Sequence, residues 1–204
     1  MRYNGAMRET ILAVMVVAGW IGTCWAAESV KVSVDPATGA FDAAWSDVEV
    51  EVHGLGFWAE VDGGALGLVP RTLVSRKFKD SFGAGTEWTQ RWGESISAQR
   101  VVRAYDALPV IVVSAQLTNN SNRPAAVGTV KLIDSAKGGG WRVGKNERTP
   151  GTVYVAGDAM VACDPVGALG AKNYGATQFL ALAQAARGPT LVVGYLSAQM
   201  AGPS

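Results

Sequence analysis

Short apolar segments with a two-residue period constrain the fold of this chain more than any other feature of its sequence. Residues 30–35 and 48–53 alternate apolar and polar side chains, and residues 110–118 form the run richest in β-branched side chains. Successive side chains of a strand point to opposite faces, so this period places the apolar residues on one buried face. The pattern predicts half-buried strands at 30–35 and 48–53, the latter closed by Gly54 and Gly56. It also predicts a central strand at 110–118, covered on both faces.

Glycine, proline, asparagine and aspartate separate these segments at short intervals, and helical patterns are few. This arrangement is typical of an all-β antiparallel β-sandwich. The polar loop at 119–124 lies between residues 110–118 and 127–133, which we therefore expect to form a hairpin. Residues 177–187 are rich in Ala, Leu and Gln and suit a hairpin or a helix; we favour the hairpin.

The first 26 residues have the organisation of a secretory signal peptide. Arg2 and Arg8 precede an uncharged apolar stretch at 11–22, and small residues follow at 23–27. The apolar stretch is shorter than the roughly 20 residues needed to span a bilayer. We predict cleavage after Ala26, leaving a domain of residues 27–204 that is exported to the periplasm or the extracellular space and holds no membrane anchor. Cys24 raises the alternative of a lipoprotein, although Thr23 is a poor residue before a lipidated cysteine.

The charge and the cysteine content exclude several classes of function. The formal net charge is +1 at pH 7, with 18 basic and 17 acidic side chains, which argues against binding to nucleic acid. Cys163 would be the single cysteine after cleavage, so no intramolecular disulfide is expected, and its apolar neighbours predict burial. The one histidine, His53, falls on the polar face of its strand, and a zinc site needs three or four ligands. We therefore predict no metal and no cofactor.

Carboxylates and basic side chains are further candidate catalytic or binding groups. The carboxylates are Asp80, Glu87, Glu94, Asp106 and Asp134. Glycosidases place two carboxylates on opposite sides of the scissile bond, but no spacing here brings two of these face to face. Turn and loop capping is the favoured interpretation of Asp80 and Asp106. A basic cluster around Phe78 is interpreted as a solvated strand face; it comprises Arg71, Arg76, Lys77 and Lys79.

Three tryptophans are the candidate carbohydrate-binding residues. Trp88 and Trp92 flank a Thr-Gln-Arg tripeptide, and Trp141 follows three glycines and precedes Arg142. If they lie in loops, tryptophans beside Arg, Gln and Glu can stack on a sugar ring while their neighbours bond its hydroxyls. The alternative is that they fill the core of the sandwich.

Three stretches together resemble a known family: Lys-Asp-Ser-Phe-Gly-Ala-Gly at 79–85, Arg-Ala-Tyr-Asp-Ala-Leu-Pro-Val-Ile-Val at 103–112, and Leu-Thr-Asn at 117–119. They are similar to the N-terminal β-supersandwich domain of α-galactosidase-like glycoside hydrolases, the clan that includes raffinose synthases. Residues 191–197 resemble the strand that precedes the catalytic barrel there, so the resemblance covers roughly residues 30–197. It implies a galactose-mutarotase-like supersandwich.

The resemblance also implies what the chain would do and what it lacks. The catalytic aspartates of that family lie on a downstream (β/α)₈ barrel, which takes about 250 residues, so no catalytic residue is carried over to this chain. The expected function is that of a secreted, non-catalytic domain. It would pack on the barrel and support cofactor-free hydrolysis of terminal α-galactosides, with an α-galactoside-type carbohydrate as partner.

Two other functions remain open: a stand-alone exported carbohydrate- or surface-binding module, and a structural envelope domain without a ligand. A domain that packs on a barrel should expose a large apolar patch when isolated, whereas a stand-alone module should have a polar surface with a few exposed aromatics.

Overall fold

A computed structural model describes the backbone of residues 9–20, 29–66, 69–143, 152–156, 164–168, 179–183 and 189–200, and the side chains of 29–66, 69–134 and 140. These residues form strands and turns and contain no helix. The strands, in chain order, are β1 (Glu9–Trp20), β2 (Lys31–Val34), β3 (Phe41–Trp45), β4 (Val50–Val61), β5 (Gly64–Ala65), β6 (Thr72–Asp80), β7 (Gly83–Gly93), β8 (Ile96–Tyr105), β9 (Val110–Asn119), β10 (Val127–Val143), β11 (Thr152–Ala156), β12 (Asp164–Ala168), β13 (Phe179–Ala183) and β14 (Pro189–Met200).

The strands form two antiparallel sheets. The larger sheet has the order β12-β11-β13-β14-β1-β9-β8-β7-β6, and the smaller has the order β10-β4-β3-β2, with β5 added beside β4. A single cluster of buried apolar side chains is drawn from both sheets. The predicted all-β antiparallel β-sandwich is therefore confirmed.

The core between the sheets is built from alternate residues of the strands that face each other. Trp45 and Leu55 of the smaller sheet and Ile111 and Val113 of the larger one are fully buried. The indole Nε1 of Trp45 donates a hydrogen bond to the carbonyl oxygen of Pro109 at 2.9 Å, which ties β3 to the turn between β8 and β9. A buried indole N–H is costly unless it is paired, so this bond fixes the relative position of the two sheets at that end.

Strand β4 continues past the point where the sequence predicts its end. Gly54 was expected to close the strand, but β4 runs from Val50 to Val61. Gly54 has a φ of 63° and donates its N–H to Oδ1 of Asp42 at 2.7 Å. The pairing of β4 with β3 shifts register beside it. Glycine tolerates this backbone conformation without steric cost, so it serves as a bulge that keeps alternate side chains in the core.

The predicted hairpin of residues 110–118 with 127–133 is wrong. Strand β9 pairs with β8 in the larger sheet, whereas β10 pairs with β4 in the smaller one. The loop between them is tied to both sheets, because the N–H of Asn120 donates to the carbonyl of Ser95 and the N–H of Ala126 donates to Oδ1 of Asp62, each at 2.7 Å. Its length suffices to cross the roughly 10 Å between packed sheets.

Two further expectations concern the larger sheet. Strand β9 is interior, as predicted, but its outer side chains are half-buried rather than covered. Residues 179–183, where a hairpin and a helix were both open, form β13, which pairs antiparallel with β14. The favoured hairpin is confirmed there.

The N-terminal strand falls within the predicted signal peptide. Strand β1 lies between β14 and β9 and pairs antiparallel with both. The signal peptide and its cleavage after Ala26 stay predictions. Cys24 and Cys163 lie outside the described residues.

Candidate functional site

The three candidate tryptophans lie in strands rather than loops, so the loop interpretation is wrong. Trp88 and Trp92 belong to β7, and Trp141 belongs to β10, where it pairs with Val52. Trp92 is 1% exposed, and its ring centroid lies 4.8 Å from that of Phe57. Trp88 is half-buried and packs against the same core. The side chain of Trp141 lies outside the described residues.

These positions determine how much of each tryptophan ring is exposed for stacking on a sugar. A ring that is 1% exposed presents no face to a ligand, so Trp92 serves the core in this conformation. Trp88 presents only part of its ring. Sugar contact by Trp88 or Trp141 stays a prediction.

The other singled-out polar side chains have local partners. His53 is exposed, and its Nε2 lies 3.1 Å from Oε2 of Glu51. Asp106 pairs with Lys77 at 3.4 Å and Asp134 with Lys131 at 3.0 Å. Glu94 pairs with Arg71. Solvated ion pairs of this kind contribute little to stability and do not form a reactive constellation.

A groove of about 520 Å³ lies on the outer face of β6, β7 and β8, on the side of the sheet away from the core. Its nine lining residues are Thr72, Val74, Arg76, Glu87, Thr89, Arg91, Gln99, Val101 and Arg103. The strand registers arrange them as three rows that cross the strands: Thr72-Arg91-Gln99, Val74-Thr89-Val101 and Arg76-Glu87-Arg103. Side chains directly opposite each other in adjacent strands are in contact range, so each row acts as one unit.

The third row is a buried carboxylate held by two arginines. Glu87 is 2% exposed. Its Oε1 accepts a hydrogen bond from Nε of Arg76 at 2.8 Å and lies 2.8 Å from Nη2 of the same side chain, and its Oε2 accepts a hydrogen bond from Nε of Arg103 at 2.7 Å. Charge-assisted bonds of this length are strong and directional. They fix both guanidinium groups at the floor of the groove.

The charged state of Glu87 follows from these contacts. Burial alone would raise the pKa of Glu87, but the hydrogen bonds and charges of Arg103 and Arg76 outweigh it and hold the pKa below that of an ordinary glutamate. The carboxylate is therefore ionised at neutral pH. With Arg76, Arg91 and Arg103 opposing Glu87, the groove carries a formal excess of two positive charges.

The first two rows provide hydrogen-bonding groups and an apolar strip. Nε of Arg91 donates to Oε1 of Gln99 at 3.1 Å. Between this row and the arginine–glutamate row lie Thr89, the half-buried Val101, and Val74, which is 58% exposed. A shallow apolar strip bordered by amide, hydroxyl and guanidinium groups is the composition of a binding surface, and it offers no nucleophile–base pair.

Two of the three stretches that carry the family resemblance, 79–85 and 103–112, meet at the β6–β7 turn. The hydroxyl of Tyr105 donates to Oδ2 of Asp80 at 3.0 Å, and Oδ1 of Asp80 accepts the N–H of Phe82 at 2.9 Å. The ring of Phe78 packs edge-on against Tyr105, with centroids 5.3 Å apart. Asp80 thus closes the β6–β7 turn, in agreement with the capping interpretation.

A buried cation lies on the opposite, inner face of β8. Arg100 is fully buried and donates to the carbonyl oxygens of Gly39, Leu55 and Leu132. Its guanidinium carbon also lies 5.5 Å from the ring centroid of Phe41 and 5.7 Å from that of Trp92. Burial lowers the pKa of Arg100 to about 9, so it is charged at pH 7.

Sequence reasoning missed most of the groove. The sequence singles out Arg76, Glu87 and the Thr-Gln-Arg tripeptide at 89–91, but it assigns them to separate features. Alternation along β7 and β8 places Glu87, Thr89 and Arg91 on one face and Gln99, Val101 and Arg103 on one face. The signal was therefore present, but joining these faces requires the register between strands.

Comparison with known proteins gives no relative. No protein-family model, curated protein or solved structure matches the chain. Among the residues whose positions are described, no three His, Cys, Asp or Glu side chains gather as a metal site. That part of the chain also contains no helix with the length and hydropathy needed to cross a membrane.

Proposed function

We propose that this protein is an exported, non-catalytic carbohydrate-binding module that holds a glycan in the groove on the outer face of β6, β7 and β8. The groove carries this proposal. Its open shape admits an extended ligand, Val74 and Val101 offer an apolar surface to the C–H faces of sugars, and Thr89, Gln99 and the arginines supply hydrogen bonds to hydroxyls.

The described surface favours a binding module over a domain that packs on a barrel. Its large exposed apolar side chains are Val69, Val74 and Phe82, at 59%, 58% and 72% exposure. Val74 lies in the middle of β6, whereas Phe82 lies in the β6–β7 turn and Val69 precedes β6. Single exposed apolar residues are ordinary on a soluble domain, whereas a docking face for another domain is a contiguous patch.

The role of a glycoside hydrolase accessory domain, acting with a barrel that hydrolyses terminal α-galactosides, is the second proposal. The contact of Asp80 with Tyr105 favours it, because it joins two of the stretches that carry the resemblance. Reading the gene past the codon for Ser204 tests this proposal. An open frame that encodes a barrel with two aspartates supports it, and a stop codon contradicts it.

The groove is tested with a substitution that removes one hydroxyl and preserves shape. Thr89→Val deletes a hydrogen-bonding group from the middle row, and Thr129→Val makes the same change at an exposed position of β10 in the other sheet. Affinity electrophoresis against a panel of neutral and acidic polysaccharides should show binding by the unmodified protein. One hydrogen bond is worth about 1 kcal/mol, so Thr89→Val should weaken binding about fivefold.

Thr129→Val should bind as the unmodified protein does. Equal affinity of both variants would remove the groove as the site. Absence of binding to every polysaccharide in the panel would refute the carbohydrate-binding function itself.

A further inference from the structure

The excess positive charge of the groove identifies the class of glycan. Resting on the proposed function, we infer that the groove selects an acidic polysaccharide whose sugar units carry carboxylates, and that Arg91 and the Arg76–Arg103 pair bind two separate carboxylates of one chain. Three guanidinium groups and one carboxylate line this face. A neutral sugar needs no such excess, because hydroxyl and amide groups satisfy its hydroxyls.

Glu87 positions the two arginines without using all their donors. Its contacts engage Nε and Nη2 of Arg76 and Nε of Arg103. A guanidinium has five N–H donors in a planar fork, so both arginines have further N–H groups that do not bind Glu87. The side chains of Arg76 and Arg103 are 69% and 40% exposed, whereas Glu87 is 2% exposed. The carboxylate therefore lies beneath the arginines, whose side chains are partly exposed to solvent.

The separation of the two cationic positions favours a chain over a small anion. Arg91 and Glu87 lie four residues apart on β7, and a strand rises about 3.4 Å per residue, which gives about 14 Å between the two rows. One carboxylate or phosphate ion is too small to bridge the two positions while Gln99 holds Arg91 and Glu87 holds the other two arginines. The row of Val74, Thr89 and Val101 lies between them and would underlie the sugar ring that joins two charged units.

Planar carboxylates suit this site because guanidinium groups bind them through two parallel hydrogen bonds. Arg91 already has its Nε directed to Gln99 at 3.1 Å, which orients its terminal nitrogens.

The experiment measures binding of the full chain to polygalacturonate and to a neutral galactan by isothermal titration calorimetry at two salt concentrations. Polygalacturonate should bind at least tenfold more tightly than the galactan at low salt, and its affinity should fall as salt is added, because exposed charges are screened. Arg91→Gln should weaken polygalacturonate binding about tenfold, as expected for a charge-assisted hydrogen bond. The matched control Arg123→Gln removes one positive charge from the exposed loop between β9 and β10, away from the groove. It should leave affinity within about twofold.

The outcomes separate this inference from the function on which it rests. Galactan binding equal to or tighter than polygalacturonate binding would overturn the selection for acidic chains and leave the carbohydrate-binding function standing. Equal losses in Arg91→Gln and Arg123→Gln would show a non-specific charge effect and overturn the assigned site. Binding to neither polymer would overturn the inference, and the wider polysaccharide panel would then decide the function.

Discussion

Nε of Arg100 donates a hydrogen bond to Oε1 of Gln90 at 2.7 Å inside the sandwich, where both side chains are 0% exposed. Nε2 of the same Gln90 donates to the carbonyl of Gly39 at 2.6 Å. Gln90 therefore links a buried cation of β8 to the turn that precedes β3. Its side-chain amide accepts through Oε1 and donates through Nε2. A guanidinium kept in the core by neutral partners depends on each of them, since every lost acceptor leaves a desolvated N–H.

Replacing Gln90 tests that dependence. Gln90→Leu should lower the free energy of unfolding by about 2–4 kcal/mol, because it leaves the buried Nε–H of Arg100 unpaired. The double variant Gln90→Leu/Arg100→Met should be less destabilised than the sum of the two single variants, as measured by urea unfolding. Gln116→Leu, on the half-buried outer face of β9, is the control and should change stability little. Strict additivity would show that the two side chains act independently.

Acid stability tests the arginine–glutamate row. The pKa of Glu87 is lower in the folded protein than in the unfolded chain, so its stabilisation is present above the unfolded value of about 4.3 and is lost as pH falls through the folded value. Glu87→Gln should therefore cost about 1–3 kcal/mol at pH 7, and this cost should shrink as pH falls below about 4.3. Glu94→Gln breaks an exposed pair with Arg71 and should cost under about 1 kcal/mol at pH 7. A cost of Glu87→Gln that does not change with pH would contradict the ion pair.

Gly85 lies where β7 and β8 approach closely. A methyl group there would overlap the carbonyl oxygen of Ala104 and lie 2.9 Å from Cε1 of Phe78. Gly85→Ala should destabilise the protein by about 1–3 kcal/mol, because backbone must move to admit the methyl group. Gly56→Ala is the matched control, since its methyl group would lie 3.5 Å from the nearest atom, the carbonyl oxygen of Asp134. Thermal unfolding of both variants makes the comparison; equal midpoints would refute the close approach.

The hydroxyl of Tyr105 should ionise later than that of an ordinary tyrosine. Burial raises its pKa, and its hydrogen bond to the carboxylate of Asp80 raises it further. Absorbance titration of the phenolate should therefore contain a component above the ordinary value of about 10, and Tyr105→Phe should delete that component. Deletion of a component at or below that value would contradict the bond to Asp80.

Intact mass and N-terminal sequencing test the predicted leader. Protein recovered after export should begin at Ala27, and Ala26→Arg, which removes the small residue before the cleavage point, should prevent processing. A mature protein that begins at Met1 would show that β1 is retained.

The sequence predicted where strands lie better than it predicted which strands pair with each other, for a physical reason. Alternation identified the strands at residues 30–35 and 48–53, because burial of one face leaves a period of two, and the β-branched run identified the strand at 110–118. It could not tell that β9 and β10 lie in different sheets, since a polar loop has the same composition in a hairpin and in a crossover. Trp92 was assigned to a loop because its polar neighbours hid the fact that Gln90 and Arg100 share the core with it. The groove stayed hidden for the related reason that it exists only once β6, β7 and β8 are in register.

The position of β1 in the larger sheet brings the predicted export of the protein into conflict with its folding. The segment Glu9–Trp20 supplies the interior of the larger sheet, and its residues also form most of the stretch expected to direct export. A segment held by translocation machinery cannot pair with β9 and β14 at the same time. If the chain folds before export, β1 is buried in the sheet and is not accessible as a signal. If the signal is cleaved before folding, the sheet loses β1. Since β1 runs antiparallel to both neighbours, β9 and β14 run parallel to each other, and a processed chain can rejoin them directly only as a parallel pair. If the leader is cleaved, the order of export and folding would therefore decide whether β9 and β14 pair through β1 or directly with each other.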